Sequence, residues 1–352
     1  MIRSDLSSLP NYVPGARNDT AVKLSSNEAT QPPFQEASQA MAQAAAGANR
    51  YPDMGAIALR TALAERLGVE LEQVAVGTGS SAICQQLVQI TSVPGDEVIF
   101  PWRSFEAYPI FTQVVGATPV AVPLNSEHGL DLAAMAEAVT DKTRLIFVCN
   151  PNNPTGSTVT SQEFREFLAA VPSRIIIALD EAYFEYNRAT DTPVATEVIK
   201  DHPNVIGMRT FSKAYGLAGV RVGYAFGDAE IITALNKVAV PFSVSAVAQA
   251  GALASLQADE ELRTRTEDAV AQRERMVETF ARYGVPHSEA NLIWLPAANI
   301  AHLGTPQQIA EALAEHGVLV RAFDEGVRIS CTTAPETDAL LTAWQETFGG
   351  EE

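Results

Sequence analysis

Val205-Ile-Gly-Met-Arg-Thr-Phe-Ser-Lys213 is a short apolar, β-rich run that ends in a polar cluster carrying a lysine. Two further clusters stand in the same relation to a strand. Asn150-Pro-Asn-Asn-Pro-Thr-Gly156 follows the run Leu145 to Val148, and Asp180-Glu-Ala-Tyr183 follows Ile175 to Leu179. In open α/β sheets ligands bind beyond the carboxyl ends of the strands, so the three clusters are expected to converge on one site. Similar runs at Val74–Val76, Val98–Phe100 and Val222–Phe226 alternate with helical patterns. That alternation predicts a mostly parallel sheet with helices on both faces.

After about Ser245 the pattern changes. Leu262, Ala269, Val270, Met276, Val277 and Phe280 recur at helical spacing, and Asn291–Leu295 reads as a strand. Thr305-Pro-Gln-Gln308 has the form of a capping box with proline at the first helical position, and strands are expected near Val318–Arg321 and Val327–Ser330. A chain of 352 residues exceeds what one hydrophobic core usually serves. The expected fold class is therefore α/β: a large domain with a mostly parallel sheet between helices, plus a smaller α+β C-terminal domain. The expected divisions are an N-terminal arm at 1–35, a large domain at 36–245 and a small domain at 246–352.

Hydrophobic residues make up 47% of the chain and charged residues 19%, the balance of a folded globular protein. The 42 acidic against 24 basic side chains give a net charge of -18, which repels nucleic acid and anionic lipid surfaces. The apolar stretch Val238–Leu256 contains Pro241, Ser243, Ser245, Gln249, Gly251 and Ser255 and reads as a packed interior helix, not a membrane span. Met1–Pro10 carries Asp5 and no apolar core of a secretion signal, so a cytoplasmic setting is expected. Cys84, Cys149 and Cys331 are too scattered for a disulfide framework, and the five histidines lack ligand spacing, so no metal is expected.

A lysine at the end of an apolar strand offers an amine whose pKa burial can lower, which Schiff-base chemistry requires; taken alone, it also fits a surface lysine. Arg221 lies eight residues on within Leu217-Ala-Gly-Val-Arg-Val-Gly-Tyr224, where a guanidinium calls for an anion. Thr210, Ser212 and Arg221 together suit a phosphate. So does Gly77-Thr-Gly-Ser-Ser81, a glycine-rich turn at the start of a helix. Gly77, Gly79 and Ala82 also fit a dinucleotide fingerprint, but the acidic residue expected about twenty positions later is missing.

In combination these motifs resemble the fold-type I pyridoxal-5'-phosphate enzymes, and more narrowly the histidinol-phosphate and aromatic-amino-acid aminotransferase subfamily. The resemblance runs from about Tyr12 to Pro335. Asn11-Tyr-Val-Pro-Gly15, Trp102-Arg-Ser-Phe-Glu-Ala-Tyr108 and Arg209-Thr-Phe-Ser-Lys-Ala-Tyr-Gly-Leu-Ala-Gly219 resemble the actinobacterial-type aromatic (phenylalanine) aminotransferases.

The resemblance implies a role for each matching residue. Lys213 would carry the cofactor and shuttle the proton, and Asp180 would pair with the ring nitrogen, although an aspartate there also suits a helix N-cap. Asn153 and Tyr183 would bond the ring hydroxyl oxygen, and Tyr108 would stack on the ring. Gly79, Ser80, Ser81, Thr210, Ser212 and Arg221 would hold the phosphate, joined by Tyr51 from the partner of a homodimer with shared sites. On the substrate side the resemblance implies Tyr12, Asn27, Phe105, Asn153 and Arg328, the last for the α-carboxylate. Arg321 suits either the site or a strand end.

The sequence departs from the histidinol-phosphate pattern at Asn27-Glu-Ala-Thr30 and at Cys331-Thr-Thr333. The expected substrates are accordingly an aromatic amino acid and a 2-oxo acid such as 2-oxoglutarate. Histidinol phosphate is the alternative substrate. A lyase or decarboxylase on the same fold, and a non-catalytic regulator that binds the cofactor, are the alternatives in function.

Overall fold

The computed structural model describes residues 20–349 together with residues 2, 7, 9, 11–13, 15 and 18. Asp5 and most of the segment 1–10 lie outside the described residues, as do 350–352. The strands are β1 (Val22–Lys23), β2 (Val74–Gly77), β3 (Glu97–Trp102), β4 (Thr118–Pro123), β5 (Thr143–Cys149), β6 (Ile176–Asp180), β7 (Val205–Thr210), β8 (Gly223–Gly227), β9 (Leu292–Pro296), β10 (Val318–Leu319), β11 (Arg321–Phe323) and β12 (Gly326–Ser330).

Seven of them form one sheet in the order β2-β8-β7-β6-β5-β3-β4, in which β8 alone runs antiparallel to its neighbours. The inner strands β5, β6 and β7 are buried almost throughout, as near-continuous apolar runs covered on both faces should be. Separate hydrophobic clusters lie on the two sides: Ile146, Val148, Ile177 and Leu179 face one, Leu145, Phe147 and Ala178 the other. The edge strand β4 is not evident in the sequence because Pro119 and Pro123 interrupt it; an edge tolerates proline, which cannot donate to a ladder.

A third cluster surrounds the three-stranded sheet β11-β12-β9 and draws in Leu24, Met276, Leu313 and Trp344. The capping box at Thr305 forms as read, with Thr305 accepting from Gln308 N and Gln308 returning to the Thr305 N–H. Two expectations need correction. Val318–Arg321 is not one strand, because β10 pairs in parallel with β1 while β11 turns away to pair with β12. Nor is Val238–Leu256 one interior helix: the helix Ala229–Val238 ends and Val240 and Phe242 stand exposed, Phe242 at a left-handed φ of 59°. The helix Ala246–Ser255 then begins and packs on Gln35–Ala45. Gly251 allows that approach, since a Cβ there would lie 2.7 Å from Met41 Sδ.

Side chains alternate across a sheet, so the residues next to the strand-end clusters point to the opposite face. Arg209 and Glu181 form a buried ion pair there at 2.8 Å, with the guanidinium 3.4 Å from the Phe184 ring centre. Glu181 also accepts from Ala195 N at 2.8 Å. Glu181→Ala should lower stability in urea unfolding by about 3–5 kcal/mol, because it strands a buried guanidinium. Adding Arg209→Met should recover most of that loss.

Candidate functional site

The three strand ends do meet, around a cavity of about 410 Å³ whose wall includes Lys213, Asp180 and Asn153. One end is built for an anion. The helix Ser80–Thr91 starts there with Ser80 and Ser81 in the wall, and its first N–H groups point outward. Gly79 precedes it at φ 77°, and a Cβ on Gly79 would sit 2.2 Å from Arg221 Nη2. A Cβ on Gly223 would likewise meet Ser80 N at 2.4 Å. Glycine at both positions lets β8 and Arg221 close on the helix start.

Arg221 donates to Ser212 Oγ and to Ala218 O, both at 3.1 Å. It is exposed in the isolated chain while lining the cavity, and its backbone adopts a left-handed φ of 60°. No carboxylate of the described residues forms an ion pair with it. Thr210 Oγ1 accepts from Ser212 N at 3.1 Å and so closes the turn that leads to Lys213.

In the middle of the cavity Lys213 Nζ donates to Ser26 O at 3.3 Å and lies 5.9 Å from the Tyr183 ring centre. Burial, reinforced by Arg328 and Arg221, brings its pKa down to about 8 against the opposing pull of Glu28 and Asp180. Asp180 is 4% exposed and ends β6. Its Oδ2 accepts from Tyr108 Oη at 2.7 Å and its Oδ1 from Ala182 N at 3.2 Å. Burial nevertheless pushes its pKa up to about 6. Asp180 caps no helix; the short turn Phe184–Tyr186 begins after Tyr183. Tyr108 is not among the cavity-wall residues. Its ring is fully buried, stacks on Phe147 at 4.3 Å and donates its hydroxyl to Asp180, while Phe105 of the same segment lines the cavity.

Of the asparagines in Asn150–Asn153 only the last faces the cavity. Asn150 holds Thr192 and Val159, and Asn152 holds Ser104, Thr155 and the Arg103 carbonyl, so these two shape the loop. Asn27 stands behind the wall: its Nδ2 donates to Tyr183 Oη at 2.9 Å and its Oδ1 accepts from Ser330 Oγ. Burial raises Tyr183 above the ordinary phenol range, with Arg328 and the Asn27 bond opposing.

The other end holds two arginines. Arg321 and Arg328 are directly opposed across the β11–β12 hairpin and therefore share a face. Arg328 is 7% exposed; it donates to Asn153 Oδ1 at 2.7 Å and to Ser25 O at 2.5 Å, while its Nε is without a hydrogen-bond partner among the described residues. Arg321 Nη2 donates to Glu106 at 3.0 and 3.2 Å and to Val13 O at 2.8 Å. Tyr12 meets Phe105 edge-on, with centroids 6.5 Å apart.

Sequence reasoning missed Glu106, Ile110 and Phe111, which also line the cavity. Glu106 lies within the Trp102–Tyr108 segment, but a carboxylate there gains meaning only once the hairpin brings Arg321 beside it. Tyr51 stands apart from its own chain's cavity, 81% exposed and stacked on Phe242 at 4.7 Å.

A family model described as aminotransferase class I and II matches residues 19–343. An aromatic amino acid aminotransferase of Corynebacterium diphtheriae is 63% identical over 348 residues, covering 99% of this chain and all of that protein. One of Corynebacterium glutamicum (strain R) is 60% identical over 350 residues, again covering 99% of this chain and all of its own length. Among solved structures, histidinol-phosphate aminotransferase from Sinorhizobium meliloti in complex with pyridoxal-5'-phosphate matches with a TM-score of 0.87 at 28% identity, covering 100% of this chain and 98% of that one. Aspartate aminotransferase from Thermus thermophilus with maleate matches with a TM-score of 0.80 at 25% identity, covering 94% and 92%. Sequence match and fold agree along nearly the whole length, and the chain belongs to the class I and II aminotransferases of fold type I.

Proposed function

We propose that this chain is a pyridoxal-5'-phosphate-dependent aminotransferase that moves an amino group between an aromatic amino acid and a 2-oxo acid such as 2-oxoglutarate. One observation carries the cofactor: Asp180 is a buried carboxylate whose hydrogen bonds come from neutral donors, in the same cavity as an amine of lowered pKa. That pairing fits a group with a cationic ring nitrogen and an aldehyde. Asp180 would hold the nitrogen and Lys213 the aldehyde carbon, while Asn153 and Tyr183 would hold the ring hydroxyl oxygen. Ser80, Ser81, Thr210, Ser212 and Arg221 would hold the phosphate, with Gly79 leaving room. When bound, the group supplies an electron sink for negative charge at the substrate's α-carbon.

The chain's own residues do the rest. Lys213 Nζ would take the α-proton and return it, since the burial that lowers its pKa favours the neutral amine a base needs. Arg328 orients the α-carboxylate, with Asn153 beside it. Tyr108 keeps Asp180 oriented, and Asn27 does the same for Tyr183.

The aromatic preference rests on the relatives in Corynebacterium and on the cavity's apolar wall of Phe105, Ile110, Phe111 and Tyr12. Burying a phenyl ring there is worth about 2–3 kcal/mol. We further infer a homodimer in which Tyr51, exposed and stacked on Phe242, reaches the partner's phosphate end. We keep the division into an arm at 1–35, a large domain at 36–245 and a small domain at 246–352; the separate cluster around β9, β11 and β12 supports a distinct small domain, although Ala248, Ala252, Leu256 and Leu262 pack into the cluster of the large sheet. Among the described residues no helix is long and apolar enough to cross a membrane. We place the enzyme in the cytoplasm, where free thiols such as Cys84, Cys149 and Cys331 stay reduced.

The substrate reading is tested by kcat/KM for phenylalanine against histidinol phosphate, each with saturating 2-oxoglutarate. Phenylalanine should lead by tenfold or more, about 1.4 kcal/mol in transition-state binding; the reverse order would assign the pocket to the phosphate ester. Asp180 gives a pH test. Its folded pKa lies above the ordinary 3.8, so its contribution to stability is full below that pH and is lost as pH rises through about 6. Above that range the cofactor-free fold bears a cost of about 3 kcal/mol. Asp180→Asn should therefore stabilise the cofactor-free protein, more at pH 8 than at pH 5 in urea unfolding, yet lower turnover by orders of magnitude. For the shared site, mixing inactive Lys213→Ala chains with inactive Tyr51→Ala chains should restore part of the activity, because one hybrid site carries neither lesion. An active monomer would contradict it.

A further inference from the structure

The β11–β12 hairpin aims two arginines into one cavity, and a single α-carboxylate needs one of them. The side chain of Arg321 is only 13% exposed, and a lone guanidinium beside a phenyl ring would be left poorly solvated. Glu106 removes that problem: its carboxylate lies 3.0 Å from Arg321 Nη2. We propose that Glu106 is a built-in counter-anion for Arg321, which readies the pocket for an uncharged side chain and yields the arginine to the distal carboxylate of a dicarboxylic substrate. The inference rests on the reading that one site serves both an aromatic and a dicarboxylic partner.

Three features let the exchange stay local. Glu106 directly precedes the helix Ala107–Val114, whose free N–H groups favour a negative charge, so its carboxylate is not stranded when the arginine leaves. Its side chain is 28% exposed and reaches water. Arg321 also donates to Val13 O, and Arg103 binds Glu325 with two nitrogens at 2.8–3.0 Å. These contacts tie the hairpin to the 102–106 segment and to the segment holding Tyr12 while one carboxylate replaces another.

The test measures equilibrium binding of glutarate and 3-phenylpropionate to the cofactor-loaded enzyme. These ligands carry the two kinds of side chain but no amino group. Glu106→Gln should tighten glutarate at least fivefold while 3-phenylpropionate tightens less than twofold or weakens. Arg321→Gln should weaken glutarate at least tenfold and spare 3-phenylpropionate. Equal shifts for both ligands in Glu106→Gln, or no shift, would overturn the proposal. So would undiminished glutarate binding by Arg321→Gln, which also decides the matter should Glu106→Gln fail to fold. A wild-type enzyme that fails to transaminate phenylalanine would sink the aromatic reading, whereas the selectivity shift is read from binding alone.

Discussion

Asp180 ends the central strand of the seven-stranded sheet as a buried carboxylate, and much of the surrounding architecture serves to keep it there. Strand β6 delivers it to the carboxyl edge, the Tyr108 hydroxyl and the Ala182 amide fix its two oxygens, and Phe147 holds the Tyr108 ring flat against the sheet. None of these partners is a cation. The fold thus maintains a charge it does not neutralise, which is tolerable only where a ligand completes the pair. Lys213, three strand-end residues beyond β7, shares the cavity and has its own charge disfavoured by the same burial. A carboxylate held upward in pKa and an amine held downward are two consequences of one low-dielectric cavity.

The anion end depends on backbone geometry more than on side chains. Gly79 and Gly223 let the antiparallel strand β8 press against the first turn of Ser80–Thr91, and Arg221 enters from the turn just before that strand. The single antiparallel strand in the large sheet thereby brings an arginine and a helix start together, which a further parallel strand with its long crossover would not do in so few residues.

Much of this was legible in the sequence because strand-end polar clusters interrupt apolar runs abruptly. The chemistry at Asn153, Asp180 and Lys213 follows from where those runs stop, and the local hydrogen-bond code at Thr305 is complete within four residues. What sequence could not show depends on long-range pairing. Arg321 and Arg328 look like separate strand residues until the hairpin opposes them, and Glu106 is an anonymous surface acid until Arg321 arrives from 215 positions away. The bond from the Tyr108 hydroxyl to Asp180 joins residues 72 positions apart and so is equally invisible in the sequence. Arg221, read from the sequence as calling for an anion, lines the cavity beside Gly79.

The two ends of the cavity solve opposite electrostatic problems. At the end formed by Ser80 and Arg221, the helix start and the guanidinium present positive potential with no carboxylate of the described residues paired to Arg221, an arrangement suited to a permanent anionic guest. At the far end a second arginine is present, but a carboxylate from a different element already answers it. The pair is partly buried, yet Glu106 still reaches water, so it can exchange its partner without being stranded. Permanent recognition here uses fixed backbone donors, and exchangeable recognition uses a side-chain pair at a helix start. The difference in how the charges are held separates a group that stays from ligands that come and go.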